Sequence, residues 1–268
     1  MTIIDTHTHL DGVEFDGDRD EVVTRAREAG IGSVFVPAID LKSVQTVLDT
    51  CRRYAGFARP MIGLHPEEVR ADYPEVLAEM KRMLHERNDS PVADSAGRFI
   101  AVGEVGLDFY WSREFEKEQL AAFEQQVQWS IETRLPLMIH CRKAQNELVH
   151  ILRTYEKELP GGVFHCFTGN EKEAAELLSF PHFALGIGGV LTFKKSHLPE
   201  VLPTAVPLNR IVLETDSPYM APVPMRGKRN ESAFTVHILE KLAESYGVSK
   251  EKVAETTNAT VRHIFFSE

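Results

Sequence analysis

Short apolar, β-branched runs alternate with stretches of helical periodicity along this chain of 268 residues. Between the runs, apolar residues recur at helical spacing, as Leu120, Phe123, Val127 and Ile131 do. Near-continuous apolar strands that are each followed by a helix indicate parallel strands covered by helices. Eight runs are predicted as strands, at residues 2–7, 32–38, 59–65, 98–104, 135–141, 161–167, 182–188 and 209–216.

The order of these elements predicts the fold class. Eight strand–helix units within about 250 residues fit a (β/α)8 TIM barrel better than an open sheet, and a doubly wound parallel sheet is the competing architecture. The segment 217–232, which follows the eighth predicted strand, has three prolines and three cations. Because no repeat beyond the strand–helix alternation is visible, we expect residues 1–268 to form a single domain.

Composition narrows the class of protein. The apolar and charged fractions, 43% and 26%, are those of an ordinary folded chain, and no apolar run approaches the roughly 18 residues of a membrane span. The N-terminus lacks a basic segment followed by an apolar one, and the first predicted strand begins at Thr2. We therefore expect a water-soluble, cytoplasmic protein with no leader, no membrane association and no obligate protein partner.

The net charge and the cysteine content argue against a broad basic surface for nucleic acid and against sites built from cysteine. The formal net charge of -10 disfavours a broad basic surface for nucleic acid, but it leaves room for a phosphate substrate held by metal ions and a few local cations. The three cysteines are an odd number without a C-x-x-C pair, so neither a disulfide framework nor a thiolate zinc site is indicated.

Two histidines close the first apolar run, "IIDTHTHLD". In an extended strand His7 and His9 point to the same side, with Cα atoms roughly 6.6 Å apart. Two imidazoles at that separation are able to share one metal ion.

Other predicted strands also end on a side chain that binds metals. Parallel strands bring their carboxyl ends to one rim, where barrel enzymes keep their active sites. Ionisable groups at the ends of apolar runs cost energy to bury unless they are paired or metal-bound, so their coincidence predicts a metal site. The candidates are His7, His9, His65, Glu104, His140, His165 and Asp216.

The candidate ligands divide into two sets, one for each of two divalent ions. His7, His9 and Asp216 become neighbours if a barrel closes, and His140 and His165 come from adjacent strands. Glu104 is placed between them, where a carboxylate bridges two cations about 3.5 to 4 Å apart. Imidazole and carboxylate suit zinc, manganese or iron, and carboxylate with water also admits magnesium, so the identity of the metal is left open.

Several cations and aromatic residues lie near these positions in the sequence. Arg142 follows His140 by two residues, and it either contacts a phosphate or forms a salt bridge that holds a loop. Arg226, Lys228 and Arg229 form either an anion clamp or a solvated surface. The aromatic residues of "DFYW", 108–111, offer faces for a nucleobase or cover the barrel mouth.

The motifs in their order resemble one family from end to end. They are "DTHTHLD", "GLHP", "GEVGLDF", "PLMIHCR", "FHCFTG", "LETDSPY", "RGKRNE" and "TTNATVRHIF". Each is weak alone, but the whole series is similar to the TatD-type metal-dependent deoxyribonucleases of the amidohydrolase superfamily. The resemblance implies a distorted (β/α)8 barrel with two divalent metals and a phosphodiesterase that acts on DNA, often as a 3'-5' exonuclease.

The resemblance also implies roles for individual residues. One metal would be bound by His7, His9, Glu104 and Asp216, and the other by Glu104, His140 and His165. His65 would be a residue on the substrate side, and Arg142, Arg226 and Arg229 would contact phosphate. Two departures put substrate preference in question: Glu67 stands where many relatives carry histidine, and Ser232 where proline is frequent.

The mechanistic expectation is that two metals activate a water and polarise the scissile phosphate, with Asp216 accepting the proton of the water. The alternative is a hydrolase of the same superfamily that acts on a small nucleotide, an ester such as D-aminoacyl-tRNA, or a cyclic amide. Many amidases there use a carboxylated lysine on the fourth strand, where this chain has Glu104. A structural metal in a binding module is a third reading, although structural zinc sites are usually closed and rich in cysteine.

Overall fold

The computed structural model describes residues 1–90 and 97–266, and the predicted alternation of strands and helices is present within them. The strands in these ranges are β1 (Ile3–Asp5), β2 (Ile31–Pro37), β3 (Ala58–Met61), β4 (Val102–Asp108), β5 (Leu137–Arg142), β6 (Gly162–Phe164), β7 (Phe183–Ile187) and β8 (Ile211–Leu213). The α-helices are α1 (Arg19–Glu28), α2 (Leu41–Arg53), α3 (Tyr73–Asn88), α4 (Glu116–Thr133), α5 (Gln145–Thr154), α6 (Glu171–Leu178), α7 (Leu198–Ala205), α8 (Thr235–Tyr246) and α9 (Lys250–Phe266). None of the helices in these ranges combines the length and the apolar character that a membrane crossing requires.

Each predicted apolar run overlaps a strand, but every strand ends at a different residue than predicted, and β3 and β4 differ most. His7, His165 and Asp216 lie just beyond the ends of β1, β6 and β8. β4 spans Val102–Asp108 instead of 98–104, because Val105 and Leu107 are fully buried and continue the parallel ladder with β5. Glu104 therefore lies inside its strand, and Asp108 occupies the strand's end. β3 ends at Met61, so His65 lies beyond the strand and precedes the 3-10 turn Pro66–Glu68.

The chain divides into two compact units, and the expectation of a single domain stays a prediction. The first unit comprises Met1–Val36 and Phe164–Glu268. In it β1 pairs in parallel with β2, and the N–H of Thr6 donates to the carbonyl of Leu213 in β8 at 3.0 Å. β7 pairs in parallel with β8. The ends of β1 and β8 therefore lie side by side.

The second unit, Pro37–Val163, aligns β3, β4 and β5. The N–H of Gly103 donates to the carbonyl of Ile62, just past β3, at 2.8 Å. β4 pairs in parallel with β5, and this register places Gly106 opposite His140 and Asp108 opposite Arg142. The pairing therefore sets which side chains of the two strands face each other.

Gly106 is required for the close approach of β4 to β5. Its φ is +145°, and a Cβ at this position would lie 1.9 Å from the carbonyl oxygen of His140. We expect Gly106→Ala to lower the free energy of unfolding by about 3 kcal/mol or more, because the strands must separate and the backbone is strained. Urea unfolding measures the change.

Gly17→Ala is the matched control, since a Cβ there would have nothing within 4 Å. We expect it to change the unfolding free energy by less than about 1 kcal/mol. Equal unfolding midpoints for the two variants would contradict the close contact at Gly106.

Candidate functional site

The first cluster consists of His7, His9, His165 and Asp216, all in the first unit. His7 and His9 follow the end of β1, and Asp216 follows the end of β8. The N–H of Asp216 donates to the carbonyl of His7 at 2.9 Å. The hydroxyls of Thr8 and Ser217 lie 2.6 Å apart, and these two residues form a parallel bridge. The two segments are thus fixed to each other, which fixes the side chains they carry.

The donor atoms of the first cluster lie at separations that suit one metal ion. Nε2 of His7 lies 3.8 Å from Oδ1 of Asp216, and Nε2 of His9 lies 3.6 Å from the same oxygen. The rings of His7 and His165 stack with centroids 4.0 Å apart. Bonds of about 2.1 Å to a shared ion place two donors roughly 3 to 4 Å apart. The geometry and the donor types therefore fit a divalent ion.

Asp216 is an ionised acceptor within this cluster. Burial raises the pKa of its carboxyl, but the hydrogen bond to His9 and the positive charge of His165, His7 and His9 outweigh burial, so the pKa is lowered from its usual value. Its φ of 56° is in the left-handed region, which aspartate tolerates better than most residues. A proton acceptor is therefore present beside the histidines at neutral pH.

Two buried acids support the first cluster, and neither is among the site residues that the sequence predicts. Asp5 accepts hydrogen bonds from the N–H and the hydroxyl of Thr215 at 2.9 and 2.7 Å, which ties β1 to the segment after β8. Burial raises the pKa of Asp5 to about 7, although hydrogen bonds from Ser232, Thr215 and His7 lower it.

Glu214 is the second of these acids and is fully buried. Its Oε1 accepts the N–H of Cys166 at 2.5 Å and lies 3.4 Å from Nδ1 of His165. A carboxylate near Nδ1 favours the tautomer that is protonated on that nitrogen, in which Nε2 is the nitrogen able to bind a metal. The signal was present in "ETD", since alternation along an extended segment places Glu214 and Asp216 on the same side.

The second cluster consists of His65, Glu104, Asp108 and His140, all in the second unit. Oε1 of Glu104 lies 3.0 Å from Nδ1 of His140 and 3.3 Å from Nε2 of His65. Oδ2 of Asp108 lies 2.9 Å from Nε2 of His140. The ligand atoms of His65, Glu104 and His140 lie within 4.8 Å of one another, a set that again fits a divalent ion.

Asp108 belongs to the motif "GEVGLDF" but is not among the site residues that the sequence predicts. Burial raises the pKa of its carboxyl, but the hydrogen bonds from His140 and from the N–H of Tyr110 outweigh burial, and the pKa is lowered. An ionised Asp108 accepts a proton-bearing Nε2, which would leave Nδ1, on the side of Glu104, as the nitrogen of His140 that binds a metal. Residues 104, 106 and 108 alternate onto one side of β4, a pattern that could have identified Asp108 had the strand been predicted to this length.

His65 and Arg142 were predicted to lie on the substrate side. Nδ1 of His65 accepts the N–H of Glu67 at 3.1 Å and caps the 3-10 turn. Donor atoms of Glu67, Asp108 and His140 lie within 4.8 Å of one another, so Glu67 borders the second cluster. Arg142 ends β5 with an exposed side chain. The substrate roles of His65 and Arg142 stay predictions.

The basic loop, residues 226–229, is held by contacts inside the first unit. The guanidinium of Arg226 lies 4.0 Å from the ring centroid of Phe193. Nη2 of Arg229 lies 2.7 Å from Oδ2 of Asp18. The side chain of Asn230 donates to the carbonyls of Thr215 and Tyr219 at 2.8 and 2.6 Å, which anchors the loop. The predicted phosphate contacts of Arg226 and Arg229 stay predictions.

Comparison with known proteins finds relatives along the whole length. A family model described as TatD related DNase matches residues 4–266. The uncharacterized metal-dependent hydrolase YabD of Bacillus subtilis (strain 168) is 32% identical over 264 residues, which are 98% of each chain. The 3'-5' ssDNA/RNA exonuclease TatD of Klebsiella pneumoniae (strain 342) is 32% identical over 269 residues, which cover 98% of this chain and 97% of the relative.

A solved structure supports the fold class. The crystal structure of YJJV, a TatD homolog from Escherichia coli K12, matches with a TM-score of 0.87 at 26% identity and covers 98% of this chain and 97% of that one. Together with the strand–helix order, this likeness confirms the predicted TIM barrel-like (β/α)8 fold class in preference to the doubly wound sheet.

The contact between Asp108 and His140 leads to a prediction about the affinity of the second cluster for metal. We expect Asp108→Asn to weaken binding of Zn²⁺ or Mn²⁺ by about 10- to 100-fold, because the carboxylate that orients the imidazole is lost. Titration of metal-free protein measures the affinity, and ¹⁵N NMR of the His140 ring reports its tautomer. Asp49→Asn, at an exposed position on α2, is the matched control. Unchanged affinity and tautomer in Asp108→Asn would contradict the orienting role.

Proposed function

Because the chain belongs to the TatD related DNase family, we propose that it is a divalent-metal-dependent hydrolase that cleaves phosphodiester bonds of DNA, as a 3'-5' exonuclease. One observation carries the proposal. Within each unit, histidines gather with carboxylates on the strands or just beyond their carboxyl ends, at separations that suit metal coordination. Open sets of imidazole and carboxylate favour a catalytic site over a closed structural one.

We propose two ions, which are zinc, magnesium or manganese, and we keep the ligand assignment that the family resemblance implies. His7, His9, Glu104 and Asp216 bind one ion, and Glu104, His140 and His165 bind the other. Local geometry supports a metal site in each unit, since the donor atoms of His7, His165 and Asp216 lie within 4.8 Å of one another, as do those of His65, Glu104 and His140. This grouping differs from the proposed ligand sets at two residues, because it places His165 with the first cluster and adds His65 to the second.

The side chains divide the chemistry among them. Divalent ions in such a site polarise a phosphoryl oxygen and acidify a water molecule. The carboxylate of Asp216, whose pKa lies below its usual value, accepts the proton of the attacking water. Arg142, Arg226 and Arg229 hold the phosphates of the strand, and His65 lies against the scissile nucleotide. The substrate is DNA in the cytoplasm.

Activity on defined substrates tests the proposal. Metal-free protein is supplied with Mg²⁺, Mn²⁺ or Zn²⁺ and incubated with single-stranded, double-stranded and 3'-blocked oligonucleotides, a small nucleotide and a cyclic amide. We expect metal-dependent shortening of the single strand from its free 3' end. Turnover of the nucleotide or the amide without digestion of any oligonucleotide would overturn the proposal.

Two substitutions separate metal binding from proton transfer. We expect Asp216→Asn to lower kcat by about 10²- to 10⁴-fold, the usual contribution of a positioned base. We expect Glu104→Ala to reduce the metal content below two ions per chain, because a shared ligand is lost. Mass spectrometry of bound metal and steady-state kinetics measure these effects.

The control is His150→Ala, an exposed histidine on α5, which should keep the wild-type metal content and turnover. Two ions per chain in Glu104→Ala would refute the bridging role. Normal turnover in Asp216→Asn would refute its role as the base.

A further inference from the structure

Two large aromatic side chains are exposed in the segment that follows β4. Trp111 is 65% exposed and Tyr110 is 50% exposed, whereas the other tryptophan, Trp129, is 4% exposed. Burying such rings is favourable, so adjacent exposed rings mark a surface that contacts a ligand. Their position next to Asp108 places them beside the second cluster.

Arg142 completes this surface, which we call the aromatic platform (Tyr110, Trp111 and Arg142). The guanidinium carbon of Arg142 lies 3.7 Å from the ring centroid of Tyr110 and 5.0 Å from that of Trp111. The two rings meet edge to face, with centroids 4.8 Å apart and an interplanar angle of 82°. The platform therefore combines π faces with a fixed positive charge.

One carboxylate joins the platform to the second cluster. Oδ1 of Asp108 accepts the N–H groups of Tyr110 and Trp111 at 2.9 and 3.4 Å. Its Oδ2 lies 2.9 Å from Nε2 of His140. The backbone of the platform is thus held by the side chain that orients a proposed metal ligand, which fixes the platform relative to that ligand.

We propose that the aromatic platform is a nucleobase-stacking subsite that binds an unpaired nucleotide of single-stranded nucleic acid. This inference rests on the proposed function. Every base offers a π face to an aromatic ring, and a guanidinium adds charge complementarity to the neighbouring phosphate. In a duplex the bases are stacked on one another and offer no free face, so the subsite selects single strands and frayed ends.

The positive charge of Arg142 at the platform argues for nucleic acid as the ligand. The net charge of the chain is -10, so a local cation among aromatic rings is complementary to a polyanion. An apolar protein partner would have to bury the guanidinium of Arg142 without an acid to pair it, which costs free energy. Nucleic acid offers bases that stack on the rings and phosphates that pair with the guanidinium.

Tryptophan fluorescence tests binding without cleavage. The chain has two tryptophans, and only Trp111 is accessible to a base. In EDTA, we expect an unpaired oligonucleotide to quench the emission of the wild type and of Trp129→Phe, and not that of Trp111→Phe. We expect fluorescence anisotropy of a labelled oligonucleotide to show binding about 10- to 100-fold weaker for Trp111→Ala, the loss typical of one stacked base.

Two comparisons show whether the loss comes from stacking. Trp111→Tyr should recover most of the affinity, and Phe266→Ala, at another exposed aromatic residue, should bind like the wild type. An oligonucleotide with abasic 3'-terminal positions should lose much less affinity from Trp111→Ala than one with bases. Equal losses on both would overturn the stacking role, as would unchanged affinity for the normal strand.

Kinetics distinguish a failure of this inference from a failure of the proposed function. We expect Trp111→Ala to raise KM for single-stranded DNA by a larger factor than it lowers kcat. If the wild type digests no nucleic acid with any metal, the proposed function fails. If it digests single strands and Trp111→Ala has the same KM, the stacking subsite alone fails. An unchanged unfolding midpoint in Trp111→Ala excludes a folding defect.

Discussion

Each imidazole of the two clusters lies beside a carboxylate, and the candidate site depends on this pairing. Glu104, Asp108 and Glu214 are almost completely buried, where an unpaired carboxylate would cost several kcal/mol. A divalent cation bound among these groups would offset the cost of burying the carboxylates, because it places positive charge directly against them. The same groups that fix the side chains therefore also favour a bound metal.

The fold was largely predictable because its signal is local. All eight apolar runs overlap a strand, and helices follow them as the periodicity indicates. The end of β4 was not predictable from the sequence. The predicted run stopped at Glu104, a polar residue, whereas the strand continues to Asp108. Pairing with β5 decides where that strand ends, and the sequence alone does not show this register.

The ligand clusters were predictable in part, since ionisable groups at strand ends are visible in the sequence. The supporting acids Asp5, Asp108 and Glu214 were missed because their role depends on which atom they face. The contacts of the basic loop were beyond prediction for another reason. Arg229 pairs with Asp18, which is 211 residues away along the chain, and no local pattern encodes such a partner.

Asp108 uses one oxygen for the backbone of Tyr110 and Trp111 and the other for His140. Two ligands that meet through one shared group are thermodynamically linked, and the linkage is reciprocal. If a stacked base favours the carboxylate position that orients His140, it tightens cation binding by the same free energy by which the cation tightens base binding. Binding of the strand and binding of the ion would then be cooperative, so an enzyme poor in metal would also bind its polymer less tightly.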